Sequence, residues 1–269
     1  MTPNMRNFGL IIIGDEILSG KRQDKHLPKV IELLKARGLG LAWARYVGDD
    51  RGQITAALKD AFAGGDVVFC CGGIGATPDD HTRQCAGAAL GRPLQLHPEA
   101  EALIRARMRE VAAEQGLVYQ PDRPDNMHRL NMGTFPQGAA IIQNPFNKIP
   151  GFSVDDVHFV PGFPVMAHPM IEGLLDTRYQ ALHGSHVQTE RSVIVIGGME
   201  ANLTPLMEDL EYRFVGIKVF SLPSVDHPDY GRHIELGVKG LPDATVPAFA
   251  ALLLGLRQLD ARLGPEMVR

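Results

Sequence analysis

The chain has 269 residues, 45% of them hydrophobic and 22% charged, and a formal net charge of −4. This is the make-up of a globular protein that buries a core, in one large domain or two modest ones. The negative balance supplies no global electrostatic reason to bind nucleic acid or anionic lipid, and a phosphorylated small molecule is the simpler partner.

Residues 8–13, Phe-Gly-Leu-Ile-Ile-Ile, read as a first buried strand. The run is far too short for a signal-peptide core or a membrane span, and no later run approaches about 18 apolar residues, so a soluble protein is expected. The strand ends at Gly14-Asp15-Glu16 and opens into a charged segment through Lys25. A helix is predicted over 27–37, with Val30, Ile31, Leu33 and Leu34 on one face and Gly38 as its stop. Residues 41–47 are the next strand, Asp49-Asp50 precede a helix over 53–62, and Gly64-Gly65 end it. Residues 67–71, Val-Val-Phe-Cys-Cys, are a third buried strand, and 83–90 a helix. Cys70, Cys71 and Cys85 have no Cys-x-x-Cys spacing, which favours a structural role and a reducing cytoplasm over zinc or redox chemistry. Alternation of strand and helix predicts a parallel sheet with right-handed crossovers, whose first three strands open their following loops on one edge.

A charged helix is predicted over 99–115, then a Pro- and Asn-rich stretch at 121–126, a strand at 139–142 and a turn at Asn144-Pro145-Phe146-Asn147. A strand at 158–160 runs into the sharp loop Pro161-Gly162-Phe163-Pro164 and a helix over 165–175. Residues 185–189 read as a linker. Beyond it come a strand at 192–196, a helix at 203–213, strands at 215–222 and 233–238, and an amphipathic helix at 246–262 whose apolar face suits packing or dimerisation. The fold class expected is α/β, a three-layer, mostly parallel sheet with helices on both faces over 1–184, followed by a small α+β domain of βαββα order over 185–269.

The chemistry concentrates where the third strand breaks into Gly72-Gly73-Ile74-Gly75-Ala76-Thr77-Pro78-Asp79-Asp80. Glycines at the carboxyl end of such a strand let backbone N–H groups approach an anion, and the next helix N-terminus adds positive dipole. The loop lacks the lysine of a Walker A sequence, and Pro78 replaces the third glycine of the dinucleotide fingerprint. Two adjacent acids suit a phosphate only with a cation between them, so Asp79 and Asp80 point to a divalent metal such as Mg²⁺. The alternative is that either acid caps the following helix. Asp15 with Glu16 and Asp49 with Asp50 occupy the other two loops, so three acidic pairs can converge on the glycine turn.

The motifs Ile13-Gly14-Asp15-Glu16-Ile17-Leu18-Ser19-Gly20, Val47-Gly48-Asp49-Asp50, and Gly72-Gly73-Ile74-Gly75 through Asp80 and Thr82 resemble the molybdopterin-binding domain of molybdenum-cofactor biosynthesis proteins and of the N-terminal part of CinA. Pro136-Gln137-Gly138-Ala139, Asn144-Pro145, Pro150-Gly151-Phe152 and Pro161-Gly162-Phe163-Pro164 agree with the CinA type, over roughly residues 6–180. The C-terminal unit is similar to the small KH-like domain of CinA proteins. The resemblance implies Asp80 and Asp49 as catalytic acids. It implies phosphate or substrate contacts at Gly14, Ser19, Gly72, Gly73, Gly75, Thr77, Thr82, Asn144, Pro145 and Gly162, and a metal, Mg²⁺ or Co²⁺, at Asp15, Glu16, Asp79 and Asp80. It implies a homo-oligomer, dimer or trimer.

The activity this suggests is metal-dependent cleavage of an ADP-ribose-like or FAD-like pyrophosphate, with molybdopterin binding or adenylyl transfer as the alternative. The loop departs from the common Gly-Pro-Thr-Lys-Asp-Asp by lacking its early proline and its lysine, which removes a cation from the phosphate site. Asp24-Lys25-His26 stands where Asp-Thr-Asn is usual, and His26 reads as a metal ligand, a substrate contact or a surface residue, the last favoured. His183 and His186 have zinc-like spacing in a loop, a weak signal. Gly197-Gly198-Met199-Glu200 lacks the Gly-x-x-Gly pattern of an RNA clamp, so nucleic acid is not expected.

Overall fold

The structure, a computed structural model, describes residues 6–185 and 188–269. The chain divides into two compact units, Met1–Ser185 and His186–Arg269. In chain order the first unit contains β1 (Phe8–Ile13), α1 (Asp15–Leu18), α2 (His26–Lys35), β2 (Leu41–Val47), α3 (Arg51–Gly64), β3 (Val67–Cys71) and α4 (Thr82–Leu90). It continues with β4 (Leu94–Leu96), α5 (Pro98–Glu114), α6 (Pro124–Arg129), β5 (Thr134–Pro136), β6 (Ala140–Ile142), β7 (Gly151–Val154), β8 (Val157–Val160) and α7 (Pro164–Thr177).

The main sheet has the order β2-β1-β3-β8-β7-β6. Its first four strands are mutually parallel, β7 pairs antiparallel with β8, and β6 pairs antiparallel with β7. Both faces are covered, which is why β1 and β3 read as unbroken apolar runs. From β1, Phe8, Leu10 and Ile12 enter one core with Val30 and Leu34 of α2 and Ile171 of α7. Ile11 and Ile13 enter the other, with Ile54 and Leu58 of α3 and Ala86 of α4. In that second core Phe152 stacks between Phe135 and Phe159, with ring centroids 4.6 and 4.3 Å apart. Cys70, Cys71 and Cys85 are unpaired and buried, and burial raises their thiol pKa values, so they act as small apolar side chains.

The second unit contains β9 (Thr189–Ile196), α8 (Glu200–Arg213), β10 (Lys218–His227), β11 (Gly231–Gly240), α9 (Pro242–Gln258) and β12 (Arg262–Val268). Its sheet, in the order β10-β11-β9-β12, is antiparallel throughout, and its order βαββαβ is that of a ferredoxin-like split βαβ. The final helix lies earlier in the chain than the expected 246–262, because α9 runs from Pro242 to Gln258 and the residues beyond it form β12, which pairs with β9. That pairing is irregular between Leu263 and Glu266, where Pro265 has no N–H to give. Phe249, Leu252 and Leu256 of α9 are buried in the unit's own core, while Val246 and Leu259 stay exposed. Gly197-Gly198 turns from β9 into α8, and Gly237-Val238-Lys239-Gly240 lies within β11, so neither glycine run forms a clamp between two helices. Among the described residues no helix is long and apolar enough to cross a membrane.

Candidate functional site

The loops that leave the carboxyl ends of β1, β2, β3 and β8 line one cleft of about 440 Å³. Four carboxylates reach it, Glu16 from the first loop, Asp49 from the second, and Asp79 and Asp80 from the third. The first two loops are clasped reciprocally: Asp15 N–H donates to Asp49 Oδ2 at 2.9 Å and Asp49 N–H to Asp15 Oδ1 at 3.2 Å. This clasp uses the Asp15 carboxylate beside the cleft rather than in its lining. Asp50 is a helix cap, its Oδ1 accepting Gln53 N–H at 2.8 Å. Neither Asp79 nor Asp80 caps α4, whose N-cap is His81 with no side-chain cap bond. Burial, with Asp15, Glu16 and Asp79 close by, holds the Asp49 carboxyl above the usual carboxylate range.

Gly72, Gly73 and Gly75 all line the cleft. At Gly72, φ is +109° and a Cβ would run into the backbone oxygen of Ile13, so only glycine lets β3 end this close to β1. At Gly75 a Cβ would lie 2.5 Å from Asp80 Oδ2. That carboxylate folds back over its own loop, accepting Thr77 N–H at 2.8 Å as well as the Thr77 hydroxyl. Thr82 stands behind the loop rather than in the cleft: it is fully buried, its N–H donates to Gly73 O and its hydroxyl to Gly72 O, both at 3.0 Å.

Gly14, Asn144 and Gly162 also line the cleft. Asn144 is buried and its amide holds the 144–149 turn through Asn147 Oδ1, Ile149 O and Phe146 N–H. Ser19 and Pro145 are exposed outside the lining. His26, read as a surface residue, is buried. Asp24 accepts the N–H groups of His26 and Leu27 and starts α2, which seats the imidazole so that its Nε2–H donates to Gly162 O at 3.1 Å. Burial keeps His26 and the neighbouring His168 below the ordinary histidine pKa. His183 Nε2 donates to Leu175 O, and His186 lies outside the described residues.

Sequence reasoning missed Arg22, the one cation in the cleft lining among the described residues. It is placed by a turn in which Arg22 N–H donates to Glu16 O at 2.9 Å, and no ion pair engages its guanidinium among the described residues. The only advance signal was a lone arginine in a charged segment, which carries no periodicity. Met132, Ile149, Phe163 and Met166 give the cleft an apolar wall, also unforeseen. Among the described residues no three His, Cys, Asp or Glu side chains already form a metal cage. One or two of these carboxylates, with oxygens from a bound phosphate, match the way Mg²⁺ is ordinarily held.

Residues 9–183 match the family model described as "Probable molybdopterin binding domain". The chain belongs to this molybdopterin-binding domain family. Over 221 residues it is 31% identical to a CinA-like protein of Syntrophotalea carbinolica, covering 77% of this chain and 51% of the relative. Over 160 residues it is 33% identical to a CinA-like protein of Anaeromyxobacter dehalogenans, covering 58% and 37%. The chain thus spans about half or less of the length of these curated relatives. The crystal structure of CinA from Thermoplasma acidophilum superposes with a TM-score of 0.54 at 25% identity, covering 64% of this chain and 98% of that one. The family match takes in every loop of the cleft.

Proposed function

We propose that this cleft hydrolyses a nucleotide pyrophosphate, ADP-ribose-like or FAD-like, with the help of a divalent metal, Mg²⁺ or Co²⁺. The observation that carries the reading is the meeting of four carboxylates from three loops with a glycine turn and an arginine that has no ion pair among the described residues. The glycine turn and Arg22 bind the phosphates, and the apolar wall at Phe163 and Met166 takes a ring. Asp49, whose carboxyl sits above the usual range, accepts the proton of an attacking water. The water oxygen bonds to one phosphorus, the bridging oxygen leaves with the other, and ADP-ribose yields AMP and ribose phosphate. Asp79 and Asp80 hold the metal with Glu16 at hand. When bound, the metal neutralises phosphate charge and polarises phosphorus.

The family supports a second reading, a molybdopterin-binding or adenylyl-transfer module that uses the same phosphate cradle. Product analysis decides between the two. The protein is incubated with ADP-ribose and with FAD, with and without Mg²⁺ or Co²⁺, beside Asp80→Asn. Metal-dependent AMP release that falls at least about 100-fold in the variant supports the hydrolase. No product from either substrate, together with tight pterin binding, moves the assignment to the second reading. A homo-oligomer, dimer or trimer, belongs to both readings, and light scattering that shows a monomer alone removes it.

A further inference from the structure

The carbonyl groups of the glycine loop are bound from behind. Gly72 O and Gly73 O accept from Thr82 at the start of α4. Gly75 O accepts from Arg83 Nη2 at 2.6 Å, and Ala76 O from His128 Nε2 at 2.9 Å. Among the described residues all the peptides are trans, so each C=O points opposite to the N–H of the next residue. The N–H groups of Gly73, Ile74, Ala76 and Thr77 therefore face away from these anchors. Only the last has an acceptor among the described residues, Asp80 Oδ2. Successive N–H groups turned to one side with their carbonyls tied on the other form an anion-binding nest.

Thr82 and Arg83 both belong to the first turn of α4, whereas the third anchor, His128, is recruited from elsewhere. Arg83 is 4% exposed and has no carboxylate within ion-pair distance among the described residues. Its guanidinium instead joins Gly75 O to Asn131 O. Burying a cation to hold two neutral carbonyls is a costly way to build a turn, and an arginine needed only for packing would be replaceable by an apolar side chain. His128 comes from α6, 52 residues along the chain, and is itself exposed. The Asn131 amide lies 3.5 Å from its Nδ1, which leaves Nε2 as the nitrogen that carries hydrogen toward Ala76 O.

We infer that Arg83 and His128 are positioning residues that hold the 75–77 backbone with the Ala76 N–H turned into the cleft as a donor to a ligand phosphate. This rests on the reading above that the cleft binds a phosphorylated ligand. Neither residue touches the ligand; both act through the backbone.

His128 is exposed, so its variants fold, and the test compares His128→Ala with His128→Gln, whose amide restores a donor. Binding of ADP-ribose and of inorganic pyrophosphate to the full chain is measured by calorimetry without metal, with adenosine as the phosphate-free control. The expected result is a loss of roughly five- to tenfold for both phosphorylated probes in His128→Ala, recovery to within about twofold in His128→Gln, and no change for adenosine. Wild-type affinity in His128→Ala, or equal weakness in the Ala and Gln variants, overturns the proposal alone. A wild-type chain that binds neither phosphorylated probe overturns the phosphate reading of the cleft and the proposal with it.

Discussion

Arg22 shows how a single side chain sets the character of the cleft. Four carboxylates surround a turn suited to phosphate, and without a cation their repulsion opposes an anionic ligand. Arg22 is exposed and, among the described residues, free of ion pairs, so it can close on a phosphate at little desolvation cost. Its contact with a remote phosphate is the same in the bound substrate and in the transition state. Arg22→Ala is therefore expected to raise the KM for ADP-ribose roughly tenfold with kcat changed less than about twofold. Steady-state kinetics at saturating metal check this, and a fall in kcat with KM unchanged shows instead that the arginine acts on the reacting phosphorus. At this scale the sequence was only partly legible. The glycines and acids announced themselves because few other roles need Gly-Gly-x-Gly followed by Asp-Asp. Thr82 looked like a ligand contact and is a buried staple, and His26 looked like surface and is buried against Gly162 O. Both differences arise from which way a side chain leaves a turn, a property of backbone dihedrals that residue identity does not encode.

At the scale of elements, β8 carries a buried histidine that ties the sheet to the end of α7. Tyr179 OH donates to Asp156 at 2.7 Å, so it accepts from His158 Nε2–H at 2.6 Å, while His158 Nδ1 accepts the Ser153 hydroxyl at 2.7 Å. All the imidazole's hydrogen-bonding capacity is used in the neutral form. Burial, reinforced by the Arg178 charge, pushes the His158 pKa down to about 3. An unfolded chain takes up this proton near pH 6.5, and the folded one refuses it until about pH 3. Stability from this group is thus full above about pH 6.5 and falls as pH drops below it, by up to about 1.4 kcal/mol per pH unit. His158→Gln is expected to be less stable at pH 7 and to show a shallower loss between pH 7 and pH 5, read from urea midpoints. His26 and His168, also held low by burial, keep some slope in the variant. An unchanged slope places the acid sensitivity elsewhere. Elements differ in how plainly they could be read. β1 and β3 are apolar because both faces of the sheet are covered, a pattern visible in sequence. β12 holds Gly264 and Pro265 and has no buried residue, so it has neither the alternation of a one-sided strand nor the run of a buried one.

On the scale of the whole molecule, hydrophobic burial is divided between the two units. The sheet of the first has a core on each face, and the second encloses its own between one face of its sheet and α8 and α9. Each unit thus contains the apolar contacts that stabilise it, and damage to one core need not reach the other. Leu252 of α9 is fully buried in the second unit, so Leu252→Ala removes buried methyl groups and leaves a cavity, at a cost of about 2–5 kcal/mol. Hydrogen exchange in this variant is expected to lose protection in β9 and β11 while β1 and β3 keep theirs, and pyrophosphate binding at the cleft stays at its wild-type value. Loss of protection in β1 and β3 by the same factor means that the two units unfold as one. The phosphate site would then depend on the C-terminal core for its stability, and a change as distant as Leu252→Ala would lower occupancy of a cleft whose lining it leaves untouched.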